Sequence, residues 1–436
     1  MTLEQLYEQY LTCPKVITDS RQITPGALFF ALKGERFNGN QFAEKALADG
    51  ASFAIIDEPE YKKSDRYVLV DDALKTLQEL ARHHRRQFDI PLLAITGSNG
   101  KTTTKELISA ILSAQYPTHF TKGNFNNHIG VPLTLLAMPP ETKVAVIEMG
   151  ANHVGEIDFL CQIAQPTHGL ITNIGRAHLE GFGGIEGVKK AKSELYRYLE
   201  KHNGVAFVNL DEPFLDALSQ GIKHRVFYHK SDQPDPSLGP FETVLSASQP
   251  YIKVAFADEK QNLVEVQTRL IGAYNFNNIM TALAVGRYFK VPSQKIKHAL
   301  ENYVPQNNRS QVVKNGTNTI ILDAYNANPS SMEQALLNFS KMTTPKKVVI
   351  MGDMLELGNY SLQEHTHILE KAVSLNFDLV ITVGEIFGSI PAASKVTHFK
   401  NTAAMRAWLR QHPFEHTAFL LKGSRGIGLE RAFDLQ

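Results

Sequence analysis

The most constraining stretch of the chain is 94-AITGSNGKTTTKELISAIL. An apolar run ends at Thr96, a glycine-bounded turn follows, and Lys101, Thr102 and Thr103 open a helix-like segment. Glycines let backbone N–H groups turn inward on an anion, and a helix N-terminus adds its own unpaired N–H groups and dipole. In such a loop the lysine reaches the β- and γ-phosphates and the next hydroxyl takes Mg²⁺. Gly97, Ser98, Asn99, Gly100, Lys101, Thr102 and Thr103 are therefore the candidate ATP cradle, with Thr102 the first candidate metal ligand. Only Ser98 and Asn99 separate the two glycines, so the loop is shorter than the common phosphate-loop form. A cradle of this kind needs a strand before it and a helix after it, which commits this region to an α/β fold.

The neighbouring sequence keeps that pattern. Short apolar runs at 143-KVAVIEMG, 168-HGLITNIG and 204-GVAFVNLD alternate with helix-like stretches, as βαβ units around a doubly covered parallel sheet do. A helix is expected from Asn275 to Phe289, and residues 229–270, rich in turn signals, read as an antiparallel insertion or edge. After the linker-like 303-YVPQNNRSQ the alternation restarts at 318-NTIILDAYN, 346-KKVVIMGD, 378-DLVITVGE and 417-TAFLLKGS. With 436 residues the chain exceeds one ordinary core. The expected division is an N-terminal α/β domain (1–87), a central phosphate-loop domain on a parallel sheet (88–305) and a doubly wound, Rossmann-like C-terminal domain (306–436). Ligands bind at the carboxyl ends of strands in such sheets, so a site between the last two domains is expected.

Composition excludes other classes. A net charge of +1 gives no reason to expect a nucleic-acid or anionic-membrane partner. The two cysteines, Cys13 and Cys161, offer no disulfide framework or zinc spacing. The first ten residues hold early acidic side chains and no apolar run, so no secretory signal or membrane span is expected; a cytoplasmic monomer is.

Several polar residues stand out around the cradle. Glu148 ends a strand and suits Mg²⁺, which prefers oxygen ligands. His178 follows 168-HGLITNIG and reads alone as either structural or a ligand. The run beginning at Thr121 places Asn124, Asn126 and Asn127 where amides could meet a sugar or an amide-bearing substrate, or simply make a turn. In 186-EGVKKAKSELYRYLEKH, read as one helix, Lys192 falls about 40° from Val188, inside the apolar stripe. Glu194 and the other charges point away on the same reading. A lysine there either snorkels outward or sits buried with a lowered pKa, able to pair with a carboxylate or to form a carbamate.

Taken in order, these motifs resemble the Mur ligases along essentially the whole chain. The match begins in 18-TDSRQITPGALFFAL, where Ser20 and Arg21 fall on an Asp-Ser-Arg element of the family's uridine-nucleotide-binding domain. Asn38-Gly39-Asn40 stands where the family more often has Asp-Gly-His, and Tyr274 where it more often has His. The resemblance implies two Mg²⁺ sites. The second is held by Glu148, His178 and Lys192 as a carbamate; with Lys101, these make up the catalytic set. It brings Asn275 and Asn278 near the adenine and Arg309, Asp323 and Tyr325 near the nucleotide. It assigns Thr121, Asn124, Asn126, Asn127, Asn326, Asn328, Lys422, Ser424 and Arg425 to substrate, the last three to the incoming carboxylate. The run 323-DAYNANPSSM points to the branch that adds D-alanyl-D-alanine to a UDP-N-acetylmuramoyl-tripeptide. The implied chemistry is ATP-driven acyl-phosphate formation followed by attack of the dipeptide amine. Two other readings stand beside it: a folylpolyglutamate synthase-like or other Mur-type amino-acid ligase, and a nucleotide-binding module without ligase activity.

Overall fold

The computed structural model describes residues 1–232, 238–305, 308–391 and 395–433. Three main sheets follow one another along the chain, with a two-stranded ribbon, Lys33–Gly34 and Phe37–Asn38, beside the first. The first has four parallel strands in chain order, Val16–Ile17, Leu28–Phe30, Phe53–Ile56 and Tyr67–Leu69. The helix Ala73–Arg85 then leads to the second sheet; Asp72 caps its start by accepting from Lys75 N.

The second sheet has nine strands. Its middle is parallel: Val205–Asn209, His168–Ile171, Leu92–Thr96, Val144–Glu148 and Thr118–Phe120 lie side by side in that order. Alternate side chains of one strand leave toward opposite faces. Leu92 and Ala94 accordingly join the core under the helices Glu156–Ala164 and Glu194–Lys201, while Leu93 and Ile95 join the core under Lys101–Ser113 and Asn275–Tyr288. This double burial explains the unbroken apolar run before the loop. Because the strands are parallel and adjacent, Thr96, Glu148 and Thr172 come out at one edge, above the phosphate loop.

The segment expected as an antiparallel insertion or edge forms one edge of this sheet and is antiparallel only in part. His224–Ser231 and Glu242–Ala247 extend the sheet in parallel, Lys253–Ala257 runs against them, and Leu263–Gln267 pairs antiparallel with it at the edge. Part of that expectation, residues 233–237, lies outside the described residues, as do residues 306–307 of the expected linker.

The third sheet has six strands, ordered Gln311–Asn315, Asn318–Leu322, Thr417–Lys422, Lys346–Gly352, Leu379–Val383, Val396–Phe399. All pairs but the first are parallel. Val349 and Met351 pack to one face and Val348 and Ile350 to the other, as a doubly wound sheet requires. Among the described residues no helix is long and apolar enough to cross a membrane.

One expectation fails in detail. Residues 186–202 are not one helix but two, Ile185–Lys192 and Glu194–Lys201, joined at Ser193. The apolar stripe survives the break, since Val188, Ala191, Lys192, Leu195 and Leu199 are all buried. Glu194, expected to face solvent, is 4% exposed. Its carboxylate accepts from Gly155 N (2.7 Å) and Asp158 N (3.0 Å), capping the helix Glu156–Ala164. A helical wheel cannot anticipate an acid buried to satisfy another helix's N-terminus.

Candidate active site

The phosphate loop is held by the turn after the neighbouring strand. Ser98 N donates to Asn173 O (3.0 Å), and Ser98 Oγ exchanges hydrogen bonds with Gly175 O and N (3.1 and 2.9 Å). Asn99 N donates to Asn173 Oδ1 (2.9 Å), while Thr172 Oγ1 donates to Asn99 O (2.6 Å). Gly97 sits at φ +139°, and a Cβ there would run into the Thr172 hydroxyl and its backbone N. The loop thus requires glycine for both conformation and space. Lys101 Nζ donates to Gly97 O (2.7 Å) and Ser98 O (3.3 Å), folding its ammonium over the loop. Burial lowers its pKa, against the pull of Glu148.

Glu148 lies beside the loop, only 2% exposed. Its Oε2 accepts from Thr102 Oγ1 (2.9 Å) and its Oε1 from Asn126 Nδ2 (2.8 Å). A buried carboxylate and hydroxyl in contact at the loop's end form an oxygen donor set that fits Mg²⁺. Thr121 lies off the cavity: it is fully buried, and its hydroxyl accepts from Glu148 N (3.0 Å), bracing the strand end.

Lys192 is 1% exposed. Its Nζ donates to Ala151 O (3.3 Å) and stands 5.1 Å from the centre of the Phe182 ring. Burial, with Lys101 nearby, pushes its pKa down to about 7. The snorkelling alternative therefore does not apply, and a neutral amine is accessible near neutral pH. His178, in left-handed conformation at φ 51°, pairs through Nδ1 with Glu356 of the C-terminal sheet region. That contact lowers the Glu356 pKa. Among the described residues no three His, Cys, Asp or Glu side chains are placed to hold one ion. Glu148, His178 and Lys192 each have a separate protein partner here.

The other wall comes from the helix Asn275–Tyr288 and the third sheet. Thr104 Oγ1 donates to Asn278 Oδ1 (3.0 Å), Asn278 Nδ2 to Asn275 Oδ1 (2.7 Å), and Asn275 Nδ2 to Ser310 Oγ (3.3 Å). Ser310 Oγ also pairs with Tyr274 OH (2.6 Å), and Ser310 N donates to Asp323 Oδ1 (3.3 Å). Asp323 Oδ2 meets the buried Lys422 Nζ at 2.6 Å. The Arg309 guanidinium lies 3.9 Å from the Tyr325 ring centre, with Arg425 5.3 Å from it. Asn328 caps the helix Pro329–Ser340 through Ser331 N and donates to Asn99 Oδ1 (2.7 Å).

These walls enclose a cavity of about 530 Å³. It gathers Ser98 to Thr103, Asn124, Asn126, Asn127, Glu148, His178, Asn275, Asn278, Arg309, Asp323, Tyr325, Asn326, Asn328 and Lys422. Gly97, Thr121, Lys192, Ser424 and Arg425 do not line it. Ser424 is buried and accepts from Leu355 N (2.9 Å), a turn contact. Ser20 and Arg21 lie away from it in the first sheet region, where Arg21 pairs with Asp19 (2.7 Å). Asn40, at the position that departs from the family pattern, is buried and bonded to Asn38 and Asp57. The sequence reading missed Ser310, Glu156, Gln334 and Glu356, which also line the cavity. Glu156 and Glu356 fall inside the family-like runs 147-IEMGANHVGEI and 351-MGDMLELG, where they were not singled out, and Ser310 and Gln334 belong to no motif.

Comparisons with known proteins agree with this architecture. Three family models match in succession: the Mur ligase family, catalytic domain, over residues 15–85; the Mur ligase middle domain over 95–286; and the Mur ligase, glutamate ligase domain over 308–425. A UDP-N-acetylmuramoyl-tripeptide--D-alanyl-D-alanine ligase of Escherichia coli (strain K12) is 36% identical over 96% of this chain and 93% of its own. The crystal structure of MurF from Acinetobacter baumannii superposes with a TM-score of 0.85 at 31% identity, covering 99% of this chain and 97% of that one. The MurF ligase of Thermotoga maritima, solved in complex with ADP, matches with a TM-score of 0.82 at 28% identity over 97% and 96% of the two chains.

Proposed function

This chain belongs to the Mur ligase family, and on that footing we propose how its cavity works. The activity is ATP-dependent ligation of D-alanyl-D-alanine to UDP-N-acetylmuramoyl-tripeptide in peptidoglycan precursor synthesis. The triphosphate lies along Gly97–Thr103, with Asn275 and Asn278 toward the base. The tripeptide's terminal carboxylate attacks the γ-phosphorus, the bond to ADP breaks, and an acyl phosphate forms. The dipeptide amine then attacks the carbonyl carbon, gives up its proton, and phosphate leaves.

The first step brings one anion against another, so positive charge must be in place beforehand. Lys101 and Arg309 supply it from opposite walls. Bound magnesium would add charge neutralisation at the phosphate oxygens, with Thr102 as its protein ligand and Glu148 beside it. A second ion would be held by Glu148, His178 and the Lys192 carbamate. His178 would then exchange Glu356 for the metal, and the low pKa of Lys192 favours the neutral amine that carbamate formation needs. Lys422 and Arg425, at the strand end, would receive the dipeptide, with Asp323 on the nucleotide side, and a guanidinium suits the dipeptide carboxylate. Ser20 and Arg21 would meet the uridine nucleotide. We take 1–87, 88–305 and 306–436 as the working units, and the cytoplasm, where ATP and the nucleotide-linked precursor are found, as the compartment.

The observation that carries this reading is that the phosphate loop and the cationic strand end of a second α/β sheet face one cavity. Phosphate release tests it. The protein should release phosphate from ATP with UDP-N-acetylmuramoyl-tripeptide only when D-alanyl-D-alanine is present. Release driven instead by a folate and glutamate would favour the folylpolyglutamate-type reading.

A further inference from the structure

The turn after the strand His168–Ile171 does two things at once. Its first residues brace the phosphate loop: Asn173 and Gly175 bond Ser98 and Asn99 directly. The next residue, Arg176, reaches the C-terminal sheet region. Arg176 N donates to Ser330 Oγ (3.0 Å), and one guanidinium nitrogen contacts both carboxylate oxygens of Glu364 (3.1 and 3.2 Å). Glu333 lies 3.7 Å from the same group. The Glu364 side chain is 9% exposed, whereas that of Arg176 is 39% exposed. The acid is thus built into the C-terminal half, and the arginine extends to it from the central half. A carboxylate so enclosed is costly to leave unpaired, so the contact favours one placement of the two halves.

Nothing in the proposed chemistry uses Arg176. It lines neither the cavity nor the cation set, yet it is three residues beyond Asn173. We propose that Arg176 is a positioning residue: through Glu364 it latches the C-terminal half onto the brace of the phosphate loop, and so sets where the dipeptide amine meets the activated carbonyl. Loss of the latch leaves the nucleotide cradle intact, because the bonds from Asn173 and Gly175 do not pass through the Arg176 side chain. It weakens the use of the dipeptide, whose residues sit on the far side of the cavity.

This inference rests on the ligase reading. The full chain and its Arg176→Ala, Arg176→Lys, Glu364→Gln and Arg176→Ala/Glu364→Gln variants separate the two. The measurements are kcat and KM for D-alanyl-D-alanine, ADP affinity, thermal melting as a fold control, and solution scattering with ligands. Arg176→Ala is expected to lower kcat/KM for the dipeptide about tenfold, the cost of truncating a charge pair, while ADP affinity changes less than about twofold. Arg176→Lys recovers part of the loss, the double variant is no worse than Arg176→Ala, and the ligand-bound scattering profile becomes more extended. Dipeptide kinetics within about twofold of the parent, or an equal loss of ADP affinity, overturns the latch. Absence of dipeptide-dependent phosphate release from the parent chain overturns the ligase reading, and the latch with it.

Discussion

The two halves of the cavity are built differently. The phosphate loop is a largely local object: seven consecutive residues between a strand and a helix, its backbone braced by the adjoining turn of the same sheet, with one side-chain bond, Asn328 to Asn99, from the facing half. The facing half is assembled across the molecule. Its polar chain runs from Thr104 through Asn278, Asn275 and Ser310 to Asp323 and Lys422, residues hundreds of positions apart. The first half is preorganised for phosphate in any placement of the second. The second has its geometry only while the two sheets stay together. In its present arrangement His178 is committed to Glu356, which is part of that docking.

The largest expected effect tests the local half. Lys101→Ala should lower turnover by about 10²-fold or more, as loss of a preorganised charge contact does, with melting temperature near that of the parent. Unchanged turnover would remove Lys101 from the chemistry. Gly97→Ala should come next. Its Cβ meets Thr172 in a backbone conformation that L side chains rarely adopt, a strain of roughly 1–3 kcal/mol. Calorimetry should show it as lost ADP affinity and a lower melting temperature together. Retained ADP binding would mean that the loop is less rigid than its bonding implies.

The assembled half should respond more weakly and in another observable. Glu356→Gln releases His178 from a charged partner and should change dipeptide kinetics by less than about tenfold, with ADP affinity held. Equal effects on both ligands would erase the distinction between the halves.

The smallest effect lies at the opposite end of the strand that feeds the brace. Burial lowers the His168 pKa from 6.5 to about 4. Between those values the unfolded chain binds the extra proton and the folded chain does not, so stability falls as pH drops from 6.5 toward 4. His168→Phe should flatten part of that slope in melting curves taken across the interval, leaving activity at neutral pH unchanged. An unaltered slope would assign it to other groups.

The same division decides what could be read from the sequence. Loop, flanking strand and helix were legible because glycine conformation, apolar runs and helix opening are local properties, and the helix at Asn275 was placed for the same reason. The alternation after residue 318 likewise marked the four inner strands of the third sheet, while the edge strands Gln311–Asn315 and Val396–Phe399 went unread. Lys192 was marked by its misplaced charge, and the burial of that face follows. What escaped was long-range. The break at Ser193 and the buried Glu194 depend on a helix N-terminus some forty positions earlier in the chain that needs an acceptor. Thr121 and Ser424 have polar side chains in the right motifs, yet their hydroxyls serve neighbouring backbone N–H groups. Glu356 and Arg176 acquire partners only when two distant sheets meet.

The central claim is that nucleotide and acceptor meet between these halves, and a crystal structure with a non-hydrolysable ATP analogue and Mg²⁺ tests it most directly. The account predicts triphosphate on the Gly97–Thr103 turn, a divalent ion ligated by Thr102 with Glu148 close by, and Arg309 turned toward the γ-phosphate. Triphosphate seated elsewhere, with no ion near Glu148, would contradict it.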